Sequence, residues 1–129
     1  MLLAHPDVGV LLQLRAEWSH FGGTWGLPGG ARKLDEPAVD AAIREADEEA
    51  GVPPELVEVL AESVFDLGYW SYTTVLGRAL ELFDPIIGDA ESADLRWITF
   101  DDVAGLPLHP GFAAAWPTHR LRLDELLSQ

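Results

Sequence analysis

The sequence predicts a domain that mixes β-strands with α-helices, of the α/β or α+β class, and three observations carry that expectation. Short runs rich in apolar, β-branched or aromatic residues recur at 1–4, 9–14, 57–65, 69–80 and 95–99, bounded by glycine, proline and aspartate, as strands are. Residues 37–51 carry apolar side chains at helical spacing, and 118–127 alternate leucines with charges as a second, terminal helix would. The 129 residues match the size of one domain, so 1–129 is read as a single unit with a core of its own.

Composition narrows the function. The formal net charge is −14, with 22 acidic residues against 8 basic ones, and Lys33 is the only lysine. No basic stripe is available to track a long nucleic acid, so that partner is not expected. A small phosphate ester remains compatible, because a bound divalent cation reverses the local field. The absence of cysteine removes thiolate chemistry, disulfides and cysteine metal sites. The segment MLLAHPDVGV has no basic start, and no apolar run approaches the roughly 18 residues of a membrane span. A cytoplasmic protein with no membrane partner is the expectation.

In chain order, residues 1–4 and 9–14 read as two strands joined by a turn at His5, Pro6 and Asp7. The run from Gly22 to Gly30 holds five glycines and Pro28, a density that no helix or regular strand survives unbroken. With only about thirty residues ahead of it, this run is expected to shape a site loop and not to link two domains. A helix then starts near Pro37 and stops at Gly51, with Val39, Ala42, Ile43, Ala46 and Ala50 as its buried stripe. Residues 55–65 read as a helical turn and a strand, and 69–80 as a strand with Trp70, Tyr72 and Thr74 on one face. Residues 83–94 read as an acidic loop, 95–99 as a strand, 100–103 as a capped turn, 106–117 as a passage broken by Pro and Gly, and 118–127 as the last helix.

The helix at 37–51 carries acids where stability would place bases. Glu45, Glu48 and Glu49 share one face of its last two turns. Like charges at that spacing repel by ~0.2–0.5 kcal/mol per pair, and carboxylates beside the negative end of the helix dipole cost a further ~0.3–1 kcal/mol. Taken alone, the triplet is either a solvated acidic face or a seat for a hard divalent cation such as Mg²⁺ or Mn²⁺. The wider spacing decides. Gly30, then five residues, Glu36, then seven residues, then Arg44-Glu45-Ala46-Asp47-Glu48-Glu49-Ala50-Gly51-Val52 forms a pattern whose seven fixed identities coincide by chance at roughly 10⁻⁸ per window, at about 7% per residue type.

That pattern resembles the signature of the Nudix hydrolase superfamily, the MutT-like enzymes. The LLQLR strand, the GTWGLPGG approach and the RWITFDDV passage are similar to their counterparts there. The resemblance implies a Nudix fold, a mixed β-sheet sandwiched between α-helices. It implies hydrolysis of a diphosphate linkage in a nucleoside diphosphate derivative, with Mg²⁺ or Mn²⁺ as cofactor. It further implies that Glu48 and Glu49 are the principal metal ligands, Glu45 a ligand or the base that activates water, and the Gly29 carbonyl an additional ligand. Arg44 would orient the glutamates and Glu36 would anchor the loop, beside Gly30. Family members often carry another glutamate ahead of a late strand, and Glu91 is that candidate. The sequence leaves open whether Glu45 or Glu91 is the general base.

Trp18, Phe21, Trp25, Trp70 and Tyr72 could stack on a base, and Trp70, Tyr72 and Arg15 are the candidate substrate contacts, with Trp25 expected to pack beneath the glycine loop. No SQPWPFP-like array follows the signature and no proline lies near residue 66, which argues against NADH and ADP-ribose. A small nucleotide such as a (deoxy)nucleoside triphosphate, hydrolysed to the monophosphate, is the default substrate. The competing expectations are a module that senses nucleotides or binds proteins without catalysis, which intact carboxylates disfavour, and an RNA 5′-end pyrophosphohydrolase, which the missing basic surface disfavours. The apolar segments 111–117 and 121–127 are expected to cover either the core or a partner in a homodimer.

Overall fold

The computed structural model describes residues 1–28, 35–66, 68, 71–88 and 90–128. Strand β1 (Leu2–His5) turns into β2 (Gly9–Arg15) with Ala4 opposite Val10 and His5 opposite Gly9. The turn is fixed locally: the Val8 N–H donates to the His5 carbonyl at 3.3 Å, and the Asp7 N–H to the His5 ring at 3.1 Å. β1 then pairs in parallel with β5 (Ser71–Ala79), Leu2 facing Leu76. β5 pairs antiparallel along its whole length with β4 (Val57–Asp66). On its other side β2 pairs antiparallel with β6 (Ser92–Ile98), and its end pairs with the short β3 (Trp25–Gly26). The sheet is therefore mixed, as expected.

Residues alternate between two cores, as the period-2 geometry of a strand requires. Leu2, Ala4, Val10, Leu12 and Leu76 pack on one face with Phe112, Trp116 and Leu123 of helix α2 (Pro110–Leu127). Met1, Leu3, Leu11 and Val75 pack on the other with Ala46 and Ala50 of helix α1 (Ala38–Ala50). The sheet lies between the two helices. A slip of one residue in β1 or β2 would exchange the two sets, and each fully buried leucine misplaced would forfeit about 1.5–3 kcal/mol. Among the described residues no helix is long and apolar enough to cross a membrane.

Three elements differ from the sequence expectation. The glycine-rich run contains a two-residue strand, because Trp25 and Gly26 find partners in Leu14 and Gln13. β6 begins at Ser92, three residues before the apolar signal at Leu95. Its polar start is held by the ladder to β2, by the Ala16 N–H donating to the Glu91 carbonyl at 2.8 Å, and by the buried Gln13 amide donating to the Ser92 hydroxyl. Helix α2 begins at Pro110 and runs through Pro117, where a broken passage was expected. Phe112, Trp116, His119 and Leu123 are its buried residues, at i, i+4, i+7 and i+11. Burying that stripe outweighs the roughly 3 kcal/mol that an interior proline costs. These residues cover the core of their own chain, which settles that alternative for Phe112 and Trp116.

Candidate active site

Strand direction gathers the candidates. β2 ends, and β5 and β6 start, at the same end of the sheet, because β2 runs antiparallel to β1 and β6 while β5 runs parallel to β1. Arg15, Tyr72 and Glu91 therefore share that end. The Met1 nitrogen donates there to the Pro28 carbonyl at 3.0 Å, which ties the approach to the glycine loop to β1.

Helix α1 supplies the acids. It follows Pro37, whose φ of −60° and ψ of 147° place it as the cap ahead of the first turn. It stops at Gly51, which adopts φ 65° and returns its N–H to the Asp47 carbonyl at 3.0 Å while Val52 reaches Ala46 at 3.2 Å. A left-handed residue there favours glycine, and a Cβ would also lie 2.9 Å from the Cβ of Ile86. Ala41, 3% exposed, joins Ala46 and Ala50 in the buried set, while Val39, Ala42 and Ile43 are partly buried against that core.

Arg44 organises the acidic turn. Its Nε and one terminal nitrogen donate in parallel to the two oxygens of Glu36, each at 2.9 Å. The other terminal nitrogen reaches Glu45 Oε1 at 2.6 Å and Glu48 Oε2 at 3.2 Å. One side chain thus ties the residue before the helix to two acids of its last turns. Hydrogen bonds donated to Glu36 first and to Glu45 next raise the Arg44 pKa above its ordinary value, so the guanidinium stays charged throughout the working pH range. Glu45 is half-buried, Glu48 is exposed, and Glu49 is half-buried with its carbonyl accepting from the Gly88 N–H at 2.9 Å.

The donor chemistry suits a hard cation. Glu45, Glu48 and Glu49 offer carboxylate oxygens only, on adjacent turns of one helix. Among the described residues no three carboxylates already converge to hold one, and Arg44 engages Glu45 and Glu48 meanwhile. Gly29, Gly30 and Trp70 lie outside the described residues. Glu91 is exposed immediately before β6. Arg15 donates from Nε to the His20 carbonyl at 2.8 Å. Tyr72 is 53% exposed opposite Phe65 on the β4–β5 pair.

Beside Arg15 stands a cluster that spacing in the sequence did not reveal. The Phe21 ring lies 4.2 Å from His20 and 4.9 Å from His109, edge-on to the latter. His109 arrives through a long-range pairing: the Trp25 N–H donates to the Pro107 carbonyl and the His109 N–H to the Trp25 carbonyl, each at 2.8 Å. His109 Nδ1 accepts from the Gly111 N–H at 3.1 Å at the start of α2, which puts the proton of the neutral ring on Nε2. Burial, then Arg15 and His20, lower the His109 pKa below the ordinary 6.5, which favours the neutral ring. Trp25 is buried in the α2 core, with Phe112, Trp116 and Leu123, whereas Trp18 is 69% exposed.

The NUDIX domain model matches residues 1–120. A Mycobacterium tuberculosis protein named putative 8-oxo-dGTP diphosphatase 3 is 54% identical over 119 residues, covering 88% of this chain and 54% of that protein. A Bifidobacterium longum protein named a nucleoside triphosphate pyrophosphatase/Nudix hydrolase fusion protein is 41% identical over 119 residues, covering 91% of this chain and 25% of its own length. The chain spans about half, or less, of the length of these curated relatives. The crystal structure of a Nudix hydrolase from M. smegmatis, RenU, superposes with a TM-score of 0.81 at 46% identity, over 97% of this chain and 83% of that one. The fold, the arginine-tied acidic helix and the match across residues 1–120 together place this chain in the NUDIX domain family.

Proposed function

We propose that residues 1–129 form one catalytic unit, a divalent-metal-dependent pyrophosphohydrolase that cleaves a diphosphate linkage in a small nucleotide, with a (deoxy)nucleoside triphosphate as the substrate class and the monophosphate as product. The observation that carries this reading is the Arg44 fork, which ties Glu36 to Glu45 and Glu48 on the acidic last turns of α1. Nudix hydrolases in general need divalent metal ions. In this chain Glu48 and Glu49, with Glu45 beside them, would hold Mg²⁺ or Mn²⁺. The ion supplies charge neutralisation of the diphosphate and a lowered pKa for bound water.

The remaining work falls to the protein. Arg44 fixes the rotamers of Glu45 and Glu48, and Glu36 fixes Arg44, so the carboxylates are aimed before substrate arrives. A carboxylate oxygen of Glu45 or Glu91 takes the proton of the attacking water. Arg15, His20, Phe21 and His109 offer an aromatic face with a cation and an Nε2–H donor in a chain of net charge −14, which suits the base and sugar end of a nucleotide. The relative named a putative 8-oxo-dGTP diphosphatase directs the choice of first substrate to an oxidised deoxyguanosine triphosphate.

The test is a panel of 8-oxo-dGTP, the common (deoxy)nucleoside triphosphates, a dinucleoside polyphosphate and ADP-ribose, incubated with Mg²⁺ or Mn²⁺ and followed by monophosphate release. Turnover abolished by chelation supports the proposal. No turnover on any member refutes it and leaves a nucleotide-binding module, which the same panel detects by calorimetry.

A further inference from the structure

Past β5 the chain crosses the end of α1 before it enters β6. Two of its amides are committed there: the Ile86 N–H donates to the Ala50 carbonyl and the Gly88 N–H to the Glu49 carbonyl, each at 2.9 Å. Carbonyls at the end of a helix have no partner within it. Gly51 and Val52 satisfy those of Asp47 and Ala46, so residues 86–88 satisfy two that the local cap leaves over. The approach is close. A Cβ on Gly88 would overlap the Glu48 carbonyl oxygen and lie 3.2 Å from the Cα of Glu49. Glu48 and Glu49 are thus the residues whose backbone Gly88 touches. From Gly88 the chain reaches Glu91 in three residues, at most about 11 Å at 3.8 Å per Cα step, and the Glu91 carbonyl is itself held by the Ala16 N–H at 2.8 Å.

We propose that residues 86–88 are a strap that sets the position of the carboxylates on the last turn of α1 for cation binding, and that Gly88 is its positioning residue. The inference rests on the proposed metal-dependent reading of that turn. A side chain at 88 has two outcomes, neither neutral: the strap lifts and frees the carbonyls of Glu49 and Ala50, or the helix end shifts and carries Glu48 and Glu49 with it. Metal ligands need placement within about 0.5 Å, so either outcome weakens the cation site without touching a carboxylate.

The experiment compares wild type, Gly88→Ala and two controls. Gly105→Ala adds a Cβ where, among the described residues, no atom beyond its chain neighbours lies within 4 Å, and Leu121→Ala trims an exposed side chain on α2, across the sheet from α1. Mn²⁺ affinity is read by the electron paramagnetic resonance signal of the free ion, with kcat and KM on the best nucleotide beside it. Gly88→Ala is expected to bind Mn²⁺ about tenfold or more weakly and to lose kcat by a similar factor with KM nearly unchanged, while both controls match wild type. Wild-type affinity in Gly88→Ala overturns the proposal. If wild type hydrolyses nothing but loses Mn²⁺ on Gly88→Ala, the strap stands and the hydrolase reading fails. If wild type binds no Mn²⁺, both fail. Should Gly88→Ala not fold, the wild type answers by linkage: saturating Mg²⁺ must slow hydrogen exchange at the Ile86 and Gly88 amides, and unchanged exchange at both overturns the proposal.

Discussion

Replacing Arg44 tests whether the acidic turn is organised by geometry or by charge alone. Among the described residues Arg44 makes four hydrogen bonds to three carboxylates: two parallel bonds of 2.9 Å to Glu36, one of 2.6 Å to Glu45 and one of 3.2 Å to Glu48. Two effects oppose each other. The guanidinium competes with a divalent cation for Glu45 and Glu48, so its removal could strengthen metal binding. It also aims those side chains, and its removal lets them scatter. Geometry decides for aiming, because both oxygens of Glu36 hold the fork from the far side and keep it from following the carboxylates. Loss of such a supporting partner costs about 10–100-fold in metal affinity or activity. Arg44→Ala is therefore expected to lower kcat/KM by that factor, mostly through kcat. Arg44→Lys should fall nearly as far, since one ammonium cannot form the parallel pair to Glu36 and still reach Glu45. Glu36→Gln, which keeps one acceptor oxygen, should lose less than either. The assay is initial rate against substrate, with Mn²⁺ titration of the free protein. Wild-type activity in Arg44→Lys would show that charge alone suffices, and tighter Mn²⁺ binding by Arg44→Ala would show that Arg44 competes with the cation and does not place its ligands.

Two further outcomes concern stability. His119 is 5% exposed and its Nδ1 has no hydrogen-bond partner among the described residues; burial, then Arg122, lower its pKa below the ordinary 6.5. The unfolded chain takes a proton near pH 6.5 that the folded one resists, so this contribution is complete above pH 6.5 and is lost as pH falls through the folded pKa. His119→Phe is expected to match or exceed wild type in urea at pH 7.5 and to gain on it steadily from pH 6.5 to 5; a constant difference would contradict the assignment. Pro117 is exposed inside α2, and Pro117→Ala should raise stability by about 2 kcal/mol, roughly 3 from the restored helix less about 0.4–1 for the more flexible unfolded chain. A loss in equilibrium unfolding would show that the proline sits there without strain.

Helix α1 was legible in the sequence because its determinants are local: Pro37 ahead of it, Gly51 behind it, and alanines spaced to one side. The tie from Arg44 to Glu36 was legible only through the resemblance, since eight residues separate the partners and no helical spacing links them. The β1–β2 turn was legible for the same local reasons as α1. The first half of α2 was not, because a proline and a glycine mask a stripe of Phe112 and Trp116 whose burial is decided by the sheet beneath. The first residues of β6 were not, because Ser92 and Asp94 carry no strand signal and owe their conformation to β2. The grouping of Arg15, His20, Phe21 and His109 depends on pairing between Trp25 and residues 107–109, some eighty residues apart in the chain, and nothing in the local sequence announces it. The strap at 86–88 lay inside what read as an acidic loop, for its role rests on two backbone amides and an absent Cβ.

The central claim is that Glu45, Glu48 and Glu49 bind a divalent cation for nucleotide hydrolysis, and Glu48→Gln tests it most directly, because the change keeps the size of an exposed side chain and removes only its charge. Monophosphate release from the best substrate of the panel should require Mg²⁺ or Mn²⁺ in wild type and fall by about 100-fold or more in Glu48→Gln, with the unfolding midpoint unchanged. Equal rates in the two proteins, or a wild-type rate indifferent to chelation, would contradict it.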